Sequence, residues 1–482
     1  MDERQRSYGA IGTVTSVPLA GGRFTGSESA TVSSPYDGHE IGRVPLCGPD
    51  DVDRAVQAAR SALAGGPLPA WKRAEILDTA ASLLAARQDE FARIIADEAA
   101  KPLKTARAEA ERAAGTFRFS AAEARTLGGE VVPLDALASG EGKVGFTMRV
   151  PIGVVGAISP FNFPLNLVAH KLAPALAAGC AVVLKPASQT PLSALLLAEL
   201  ATDAGLPPGW LNVLVGPSAE IGDVMVEDER VKLITFTGSG AVGWGLRERA
   251  PKKRVNLELG NATPVIVAAD ADLELAATKC AANAFSFAGQ SCISVQRIYV
   301  EQSAYDGFVE RFVPKVEALK VGDPADEETD VGPLIATSER DRVLEWIGAA
   351  GGEILTGGTQ TDDGLIRPTV IARPAADAQV STDEVFGPVC TVTPVASLDE
   401  AFALANGTRY GLQAGIFTAS LDGAFRAAQA LEFGGITVNE APTFRADQMP
   451  YGGTKDSGNT REGPHYAVRE LTEERLVVSD LP

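Results

Sequence analysis

The sequence predicts an α/β protein built from two packed domains, and three observations carry that prediction. The chain has 482 residues, more than one hydrophobic core usually organises. From about Gly153, short β-branched runs alternate with helical segments, the pattern of βαβ units whose mostly parallel sheet is covered on both faces. A second alternating stretch begins near Pro264-Val265-Ile266-Val267 and runs past Val438. No internal repeat and no low-complexity linker interrupts the chain.

Helices come first. Val52, Ala55, Val56, Ala59 and Leu63 recur on one helical face with Asp50 or Asp51 placed to cap it, and Ile76, Leu77, Ala80, Leu83 and Leu84 form a second such face. The strand-like runs of the first α/β unit are Val154–Ser159, Val182–Pro186, Leu211–Gly216, Leu233–Thr237 and Val255–Gly260, with helical segments Pro191–Ala204 and Ser218–Val226 between them. In the second unit Gln296–Val300, Val389–Val395 and Ala414–Thr418 read as strands. Two more strand-like segments, Lys143–Val150 and Glu474–Ser479, stand at the domain margins. Edge strands of that length need partners, so the pair is expected to bridge subunits.

Composition narrows the function. Apolar residues make up 45% and charged residues 22%, ordinary for a globular protein. A net charge of −19 argues against nucleic acid and anionic membrane as partners. The opening Met1-Asp2-Glu3-Arg4-Gln5-Arg6 leads into polar sequence with no apolar export core. The longest apolar run, Leu172 to Leu184 between Lys171 and Lys185, is too short to cross a bilayer and reads as buried core. Five dispersed cysteines (Cys47, Cys180, Cys280, Cys292, Cys390) without CxxC spacing are expected to be reduced thiols in a cytoplasmic protein. With only His39, His170 and His465 and no cysteine pair, no metal site is expected.

Three short motifs carry candidate chemistry. In Phe287-Ala288-Gly289-Gln290-Ser291-Cys292-Ile293-Ser294 the small polar neighbours, and a glycine three positions upstream, suit a thiol that substrate approaches. Most free cysteines are simply core, so a nucleophile also requires a base and an oxyanion donor. Glu258, flanked by leucines on a predicted strand, is expensive to bury unless paired or protonated, and a raised pKa is what a base near neutral pH requires. A solvent-facing or arginine-paired glutamate is the alternative. Asn162, in Ser159-Pro160-Phe161-Asn162-Phe163-Pro164, sits where a buried strand gives way to a helix, a usual place for ligand sites. Its amide suits an oxyanion, though a plain turn asparagine fits too. Glu258 has a second reading. Gly238-Ser239-Gly240-Ala241-Val242-Gly243 matches G-x-G-x-x-G, and Glu258 follows its first glycine at the spacing of a ribose-binding acid.

Taken together these segments resemble the aldehyde dehydrogenase superfamily over nearly the whole chain. The resemblance rests on Pro151-Ile152-Gly153-Val154-Val155-Gly156, the Ser159–Pro164 turn, Lys171 with Pro174-Ala175-Leu176-Ala177-Ala178-Gly179, and Val183-Leu184-Lys185-Pro186-Ala187. It continues through Phe236-Thr237-Gly238-Ser239, Glu258-Leu259-Gly260, Gly289-Gln290-Ser291-Cys292 and Glu384-Val385-Phe386-Gly387-Pro388. It ends at Pro450-Tyr451-Gly452-Gly453, ahead of Lys455, Ser457-Gly458 and Arg461-Glu462. It implies a Rossmann-like cofactor domain (1–130 and 150–256), an α/β catalytic domain (257–460) and a small β oligomerisation element (131–149 and 461–482). It also settles the rivalry over Glu258 in favour of the base. By the same resemblance Cys292 attacks the aldehyde carbon, Asn162 and the Cys292 amide hold the oxyanion, and Glu258 activates the water that hydrolyses the thioester.

The resemblance implies NAD or NADP as cofactor. Lys185 and Ser188 fall to the adenosine ribose, Ser239 to the pyrophosphate, Glu384 to the nicotinamide ribose and Phe386 to the ring. Ile158, Ser159, Pro160, Phe236, Gly238 and Val242 complete the cradle, and Lys171 and Glu462 match positions that relay protons from the base. The chain has Asn261 where many members have a second glycine, and Ser188 where strictly NAD-preferring relatives often carry glutamate. Serine removes a carboxylate that repels a 2′-phosphate, with Lys185 available as a cation, so NADP is expected to be accepted.

Phe163, Asn166, Leu167 and His170 are expected at a rather polar substrate entrance, with Tyr451 and the loop Pro442-Thr443-Phe444-Arg445-Ala446-Asp447 closing it. Arg445 suits a substrate anion, and Arg118 is a candidate for the same mouth; a structural salt bridge is the alternative for each. The expected substrate is a small polar or anionic aldehyde of the lactaldehyde, glyceraldehyde 3-phosphate, sulfolactaldehyde or semialdehyde type. The expected assembly is a homodimer or homotetramer. A CoA-acylating enzyme on this fold typically lacks the base, and a non-catalytic homologue would have lost part of the set, so Glu258 together with Cys292, Asn162 and Lys185 argues against both.

Overall fold

Two parallel sheets dominate the computed structural model, which describes residues 16–480; the opening Met1–Arg6 segment lies outside the described residues. The first sheet has five parallel strands in the spatial order Arg254–Glu258, Val231–Thr237, Val154–Ile158, Ala181–Lys185, Leu211–Val213. Val154 and Ala181 begin strands whose side chains are buried on both faces, which is why these runs read as continuous apolar stretches rather than alternating ones. The crossover helix Asn166–Ala178 is buried on every side, packed under the helices Ala70–Ala86 and Leu103–Thr126. It stops at Gly179, whose φ of 88° is open to glycine; a Cβ there would also meet Pro67 and Pro151 side chains at 2.9 and 3.0 Å. The apolar run Leu172–Leu184 is thus helix end, turn and central strand, all of it core.

The second sheet has seven strands, ordered Glu353–Thr356, Thr369–Ala372, Val389–Val395, Arg297–Glu301, Pro264–Val267, Gln413–Phe417, Gly435–Val438. Only the edge strand Glu353–Thr356 is antiparallel. One hydrophobic core runs through Leu259 and the next begins at Val265, so the short segment between them joins the two sheets. Lys143–Pro151 and Thr472–Asp480 pair with each other, antiparallel from Thr472 opposite Pro151 to Asp480 opposite Lys143. The two long marginal strands therefore find their first partner within the chain. Val144, Phe146, Met148, Leu476 and Val478 remain exposed on that ribbon.

Several local expectations needed correction. Gly48, not an aspartate, caps the helix Pro49–Leu63, and Asp51 reaches back from the first turn to accept the Gly48 N–H at 2.9 Å. The hairpins Val17–Leu19/Gly22–Phe24 and Ser29–Ser33/Glu40–Pro45 and the helices Gln88–Ala99 and Leu103–Thr126 are absent from the periodicity reading. The Leu103–Thr126 helix buries mostly alanines, with Glu109, Thr116 and Ser120 beside them, which weakens its apolar stripe. Among the described residues no helix is long and apolar enough to cross a membrane.

Candidate active site

The helix Leu273–Phe285 starts under the Asp272 carboxylate, which accepts from the Glu274 and Leu275 N–H groups. At its far end Phe287, Ala288 and Gly289 take φ of 51°, 53° and 71° in succession, a costly run for two side-chain-bearing residues. Gly289 is there because of close backbone approach: a Cβ would lie 2.1 Å from the Gly387 carbonyl oxygen. The space this glycine leaves is taken by the Gly387 backbone and not by substrate. Gln290 pins the turn. Its side-chain amide donates to the Phe287 and Pro333 carbonyls, both at 3.3 Å, and its oxygen accepts the Ile335 N–H at 2.9 Å.

Cys292 follows this turn, with Sγ 3.0 Å from the Tyr451 hydroxyl. Burial pushes its thiol up to about 12, the Tyr451 hydrogen bond and Arg445 pull it down, and Glu384 and Glu258 oppose them. Facing it across a cavity of about 310 Å³ is Glu258, the last residue of the strand Arg254–Glu258. Glu258 is 4% exposed, and among the described residues neither carboxylate oxygen has a hydrogen-bond partner. It neither points to solvent nor pairs with an arginine. Burial first, and the Glu462 charge second, raise its pKa well above the ordinary carboxylate range, against Arg445, Lys171 and Arg461.

Behind Glu258 lies a row of buried charges. Lys171 donates to Thr235 Oγ1 and Thr237 Oγ1 at 3.1 and 2.7 Å and stands 3.9 Å from Glu462. Glu462 is bonded by Arg445 at 2.7 Å; although burial opposes it, Arg445, His170 and Lys171 hold Glu462 down at about 2. Arg445 therefore lines the cavity as half of an ion pair, its guanidinium 3.8 Å from the centre of the Tyr451 ring.

The helical wall sorts the other expected residues. Phe163, Asn166, Leu167, Arg445 and Tyr451 line the cavity, and His170 does not. Its Nε2 lies 3.0 Å from Asp447 Oδ1, burial lowers its pKa, and it serves to fix the loop that carries Arg445. Arg118 is exposed and outside the lining. The arginine of that helix that reaches the cavity is Arg112, which also meets Asp447 at 2.8 Å. Thr105, Glu109 and Arg112 recur at helical spacing along this wall, a signal that the 3.6-residue period could have given. Asn162 does not line the cavity. Its Nδ2 donates to the Gln290 carbonyl at 3.0 Å, which brings it against the cysteine loop.

The expected cofactor residues collect at the carboxyl edge of the first sheet, where parallel α/β sheets take ligands. Ile158, Lys185 and Phe236 lie at or near strand ends, and Ser159, Pro160, Ser188, Gly238 and Ser239 lie in the turns beyond. Val242 is half exposed on the following helix. Two buried groups there suit a polyanionic nucleotide. Among the described residues Ser159 Oγ has no hydrogen-bond partner, and the Lys185 ammonium meets no carboxylate, only the Pro186 carbonyl at 3.4 Å, with burial lowering its pKa to about 8. The exposed Ser188 hydroxyl donates to the Gly216 carbonyl at 3.0 Å. Glu384 arrives from the second unit and accepts the Asn261 N–H at 3.0 Å. A Cβ at Gly260 would lie 2.3 Å from Glu384 Oε2, so a larger residue there would displace this carboxylate. Asn261 is no strained replacement for glycine: its side chain ties Thr263, the Gln413 carbonyl and the Leu412 N–H. Phe386, at φ 49°, meets the Phe161 ring edge-on.

A model of the aldehyde dehydrogenase family matches residues 24–477. A 3-sulfolactaldehyde dehydrogenase from Priestia aryabhattai is 47% identical over 460 residues, covering 95% of this chain and 96% of its own. Aldehyde dehydrogenase 21 from Physcomitrella patens, solved in complex with the reaction product succinate, superposes with a TM-score of 0.94 at 40% identity, covering 96% and 98% of the two chains. A glyceraldehyde-3-phosphate dehydrogenase from Methanocaldococcus jannaschii, solved with NADP, gives a TM-score of 0.90 at 38% identity over 94% of this chain and all of its own.

Proposed function

The chain belongs to the aldehyde dehydrogenase family, and from that premise we propose that it oxidises a small polar or anionic aldehyde to the carboxylic acid through a thioester on Cys292. The observation that carries this reading is one cavity lined by both Cys292 and a glutamate, Glu258, with no hydrogen-bond partner among the described residues. The enzyme uses a nicotinamide cofactor, NAD or NADP. The residues to hold it are Lys185 and Ser188 at the adenosine ribose, Ser159, Gly238 and Ser239 along the phosphates, and Glu384 with Phe386 at the nicotinamide end. When bound, the cofactor supplies the hydride acceptor that converts a thiohemiacetal into a thioester.

The protein's own groups do the rest. The Cys292 sulfur adds to the aldehyde carbon, and the oxyanion is held by the Cys292 N–H and the Asn162 amide. That requires Asn162 to turn one N–H from Gln290 or to use its second, since an amide nitrogen carries two donors. Glu258, raised by burial, takes a proton from water as the water adds to the thioester; the acid leaves and the thiol is restored. Glu462 and Lys171 stand behind Glu258 to pass that proton on. In this proposal residues 1–130 and 150–256 bind cofactor, 257–460 carry catalysis, and 131–149 with 461–482 form the oligomerisation element, whose strand pair Lys143–Pro151/Thr472–Asp480 docks a second copy through its exposed apolar residues.

A small polar substrate is supported by the lining, in which Asn166, Asn283, Ser291, Ser294 and Thr443 accompany Arg112, and by the substrates named for the sulfolactaldehyde and glyceraldehyde-3-phosphate relatives. An aldehyde panel with both cofactors tests it. Sulfolactaldehyde, lactaldehyde or succinic semialdehyde should exceed hexanal and benzaldehyde in kcat/KM, and the reverse order would sink the substrate assignment. NADP should be accepted; a preference for NAD above about a thousandfold, roughly 4 kcal/mol, would remove the role given to Ser188. Cys292→Ala should abolish acid formation with every aldehyde.

A further inference from the structure

We propose that Tyr451 is a catalytic residue of this enzyme, its hydroxyl donating a hydrogen bond to the Cys292 thiolate, and that Arg445 is the positioning residue that holds and polarises it. The inference rests on the reading of Cys292 as nucleophile. It starts from a chemical problem: a thiolate recessed in a pocket keeps less of the water that would stabilise it. The charges facing Cys292 make this worse on one side. Glu384 and Glu258 both disfavour the anion, and of the facing groups only Arg445 and the Tyr451 hydroxyl favour it. Lys171 and Glu462 stand farther back, against Glu258.

Tyr451 is built for the task. Its oxygen is 3.0 Å from Sγ, and it is 4% exposed. Burial keeps it protonated through the neutral range, so once the thiol has ionised the phenol is the donor. Its ring lies under the Arg445 guanidinium at 3.8 Å, where a cation draws electron density from the ring and strengthens the O–H as a donor. Arg445 is in turn held by Glu462 Oε2 at 2.7 Å. Glu462 and Tyr451 exchange both backbone hydrogen bonds, at 2.6 and 3.2 Å. Ring, guanidinium and carboxylate thus form one rigid block against the sulfur. On this account Arg445 acts through Tyr451 instead of gripping the far end of the substrate.

Alkylation of Cys292 by iodoacetamide in the full-length enzyme, without aldehyde, reports thiolate formation directly, the thiol losing its proton to buffer. The other four cysteines are buried, and Cys292→Ala supplies the blank. Tyr451→Phe removes only the hydroxyl and should shift the alkylation profile up by about one pH unit, slowing the reaction about tenfold at a fixed pH below it. Arg445→Lys keeps the charge but loses the planar stack, and should shift the profile the same way by a smaller, about threefold, amount. A Tyr451→Phe enzyme that alkylates at the wild-type rate across the profile overturns the proposal, and a raised KM for the aldehyde in that case would make Tyr451 a substrate contact. A wild-type profile in Arg445→Lys overturns the part given to Arg445. Acid formation surviving in Cys292→Ala would instead defeat the underlying reading of the nucleophile, so the two failures are distinguishable.

Discussion

The helical wall and the strand-end wall of the cavity each bury a glutamate, and they treat it in opposite ways. Glu109, on the helix Leu103–Thr126, pairs with Lys101 and accepts the Leu165 and Asn166 N–H groups at 3.0 and 3.1 Å. Lys101 itself lies 3.6 Å from the centre of the Phe163 ring. Glu258, at the end of its strand, has neither ion pair nor hydrogen bond. Both line the same space. A carboxylate with partners on both oxygens fixes architecture: here it ties the start of the Asn166–Ala178 helix to the helix above. A carboxylate left without partners costs stability, and a fold retains that cost where chemistry uses it.

The largest expected effect tests this division on the strand side. Glu258→Gln should lower kcat by about 10²–10⁴, the range of a general base, because the amide cannot take the proton of the attacking water. A burst of reduced cofactor should survive if acylation is fast. Thermal stability should hold or rise, since a group that burial disfavours has been neutralised. A weakened cofactor affinity with kcat unchanged at saturating cofactor would return Glu258 to the ribose.

On the helical side the effect is next in size and different in kind. Glu109→Ala strands the Lys101 ammonium, and breaking a buried pair typically costs about 3–5 kcal/mol. Denaturant unfolding should show that loss, while turnover per folded molecule stays within a few fold. Should Glu109→Ala lose turnover as Glu258→Gln does while keeping its stability, the two walls would not differ in kind.

The difference between the walls also marks what a sequence exposes. The strand side was legible because its residues sit in short ordered motifs: Glu258 between leucines, Cys292 after a glycine turn, and the apolar β-branched runs that place them. Long-range partners were not. Nothing near position 445 signals that its guanidinium meets Glu462 and the face of Tyr451, and Tyr451 comes 159 residues after the sulfur it touches. Arg118 was read into the cavity while Arg112 reaches it, because helix rotation depends on packing that composition alone does not fix. Lys101–Glu109 escaped notice for the same reason; a buried ion pair looks in sequence like two surface charges.

Glu98 stands between the two cases and gives the smallest expected effect. It is fully buried and accepts the Leu192 and Ser193 N–H groups at 2.7 and 2.9 Å, yet no cation is among its hydrogen-bond or ion-pair partners. Burial therefore outweighs those bonds and raises its pKa from 4.5 to about 7, with Glu109 adding to the rise. A carboxyl whose folded value is raised holds its proton more tightly folded than unfolded. Its contribution is accordingly full below about pH 4.5, declines as pH rises through about 7, and is level above. Glu98→Gln carries no charge at any pH, but its amide nitrogen cannot accept the second N–H, a loss that does not vary with pH. The variant should lie below wild type near pH 4.5 and close on it between pH 5 and 8, by less than Glu109→Ala loses. A stability difference that stays flat across that interval would mean the two N–H groups already hold Glu98 ionised, as a satisfied carboxylate of the Glu109 kind. A rising difference places it with Glu258, as a buried acid that hydrogen bonds alone do not reconcile to its surroundings.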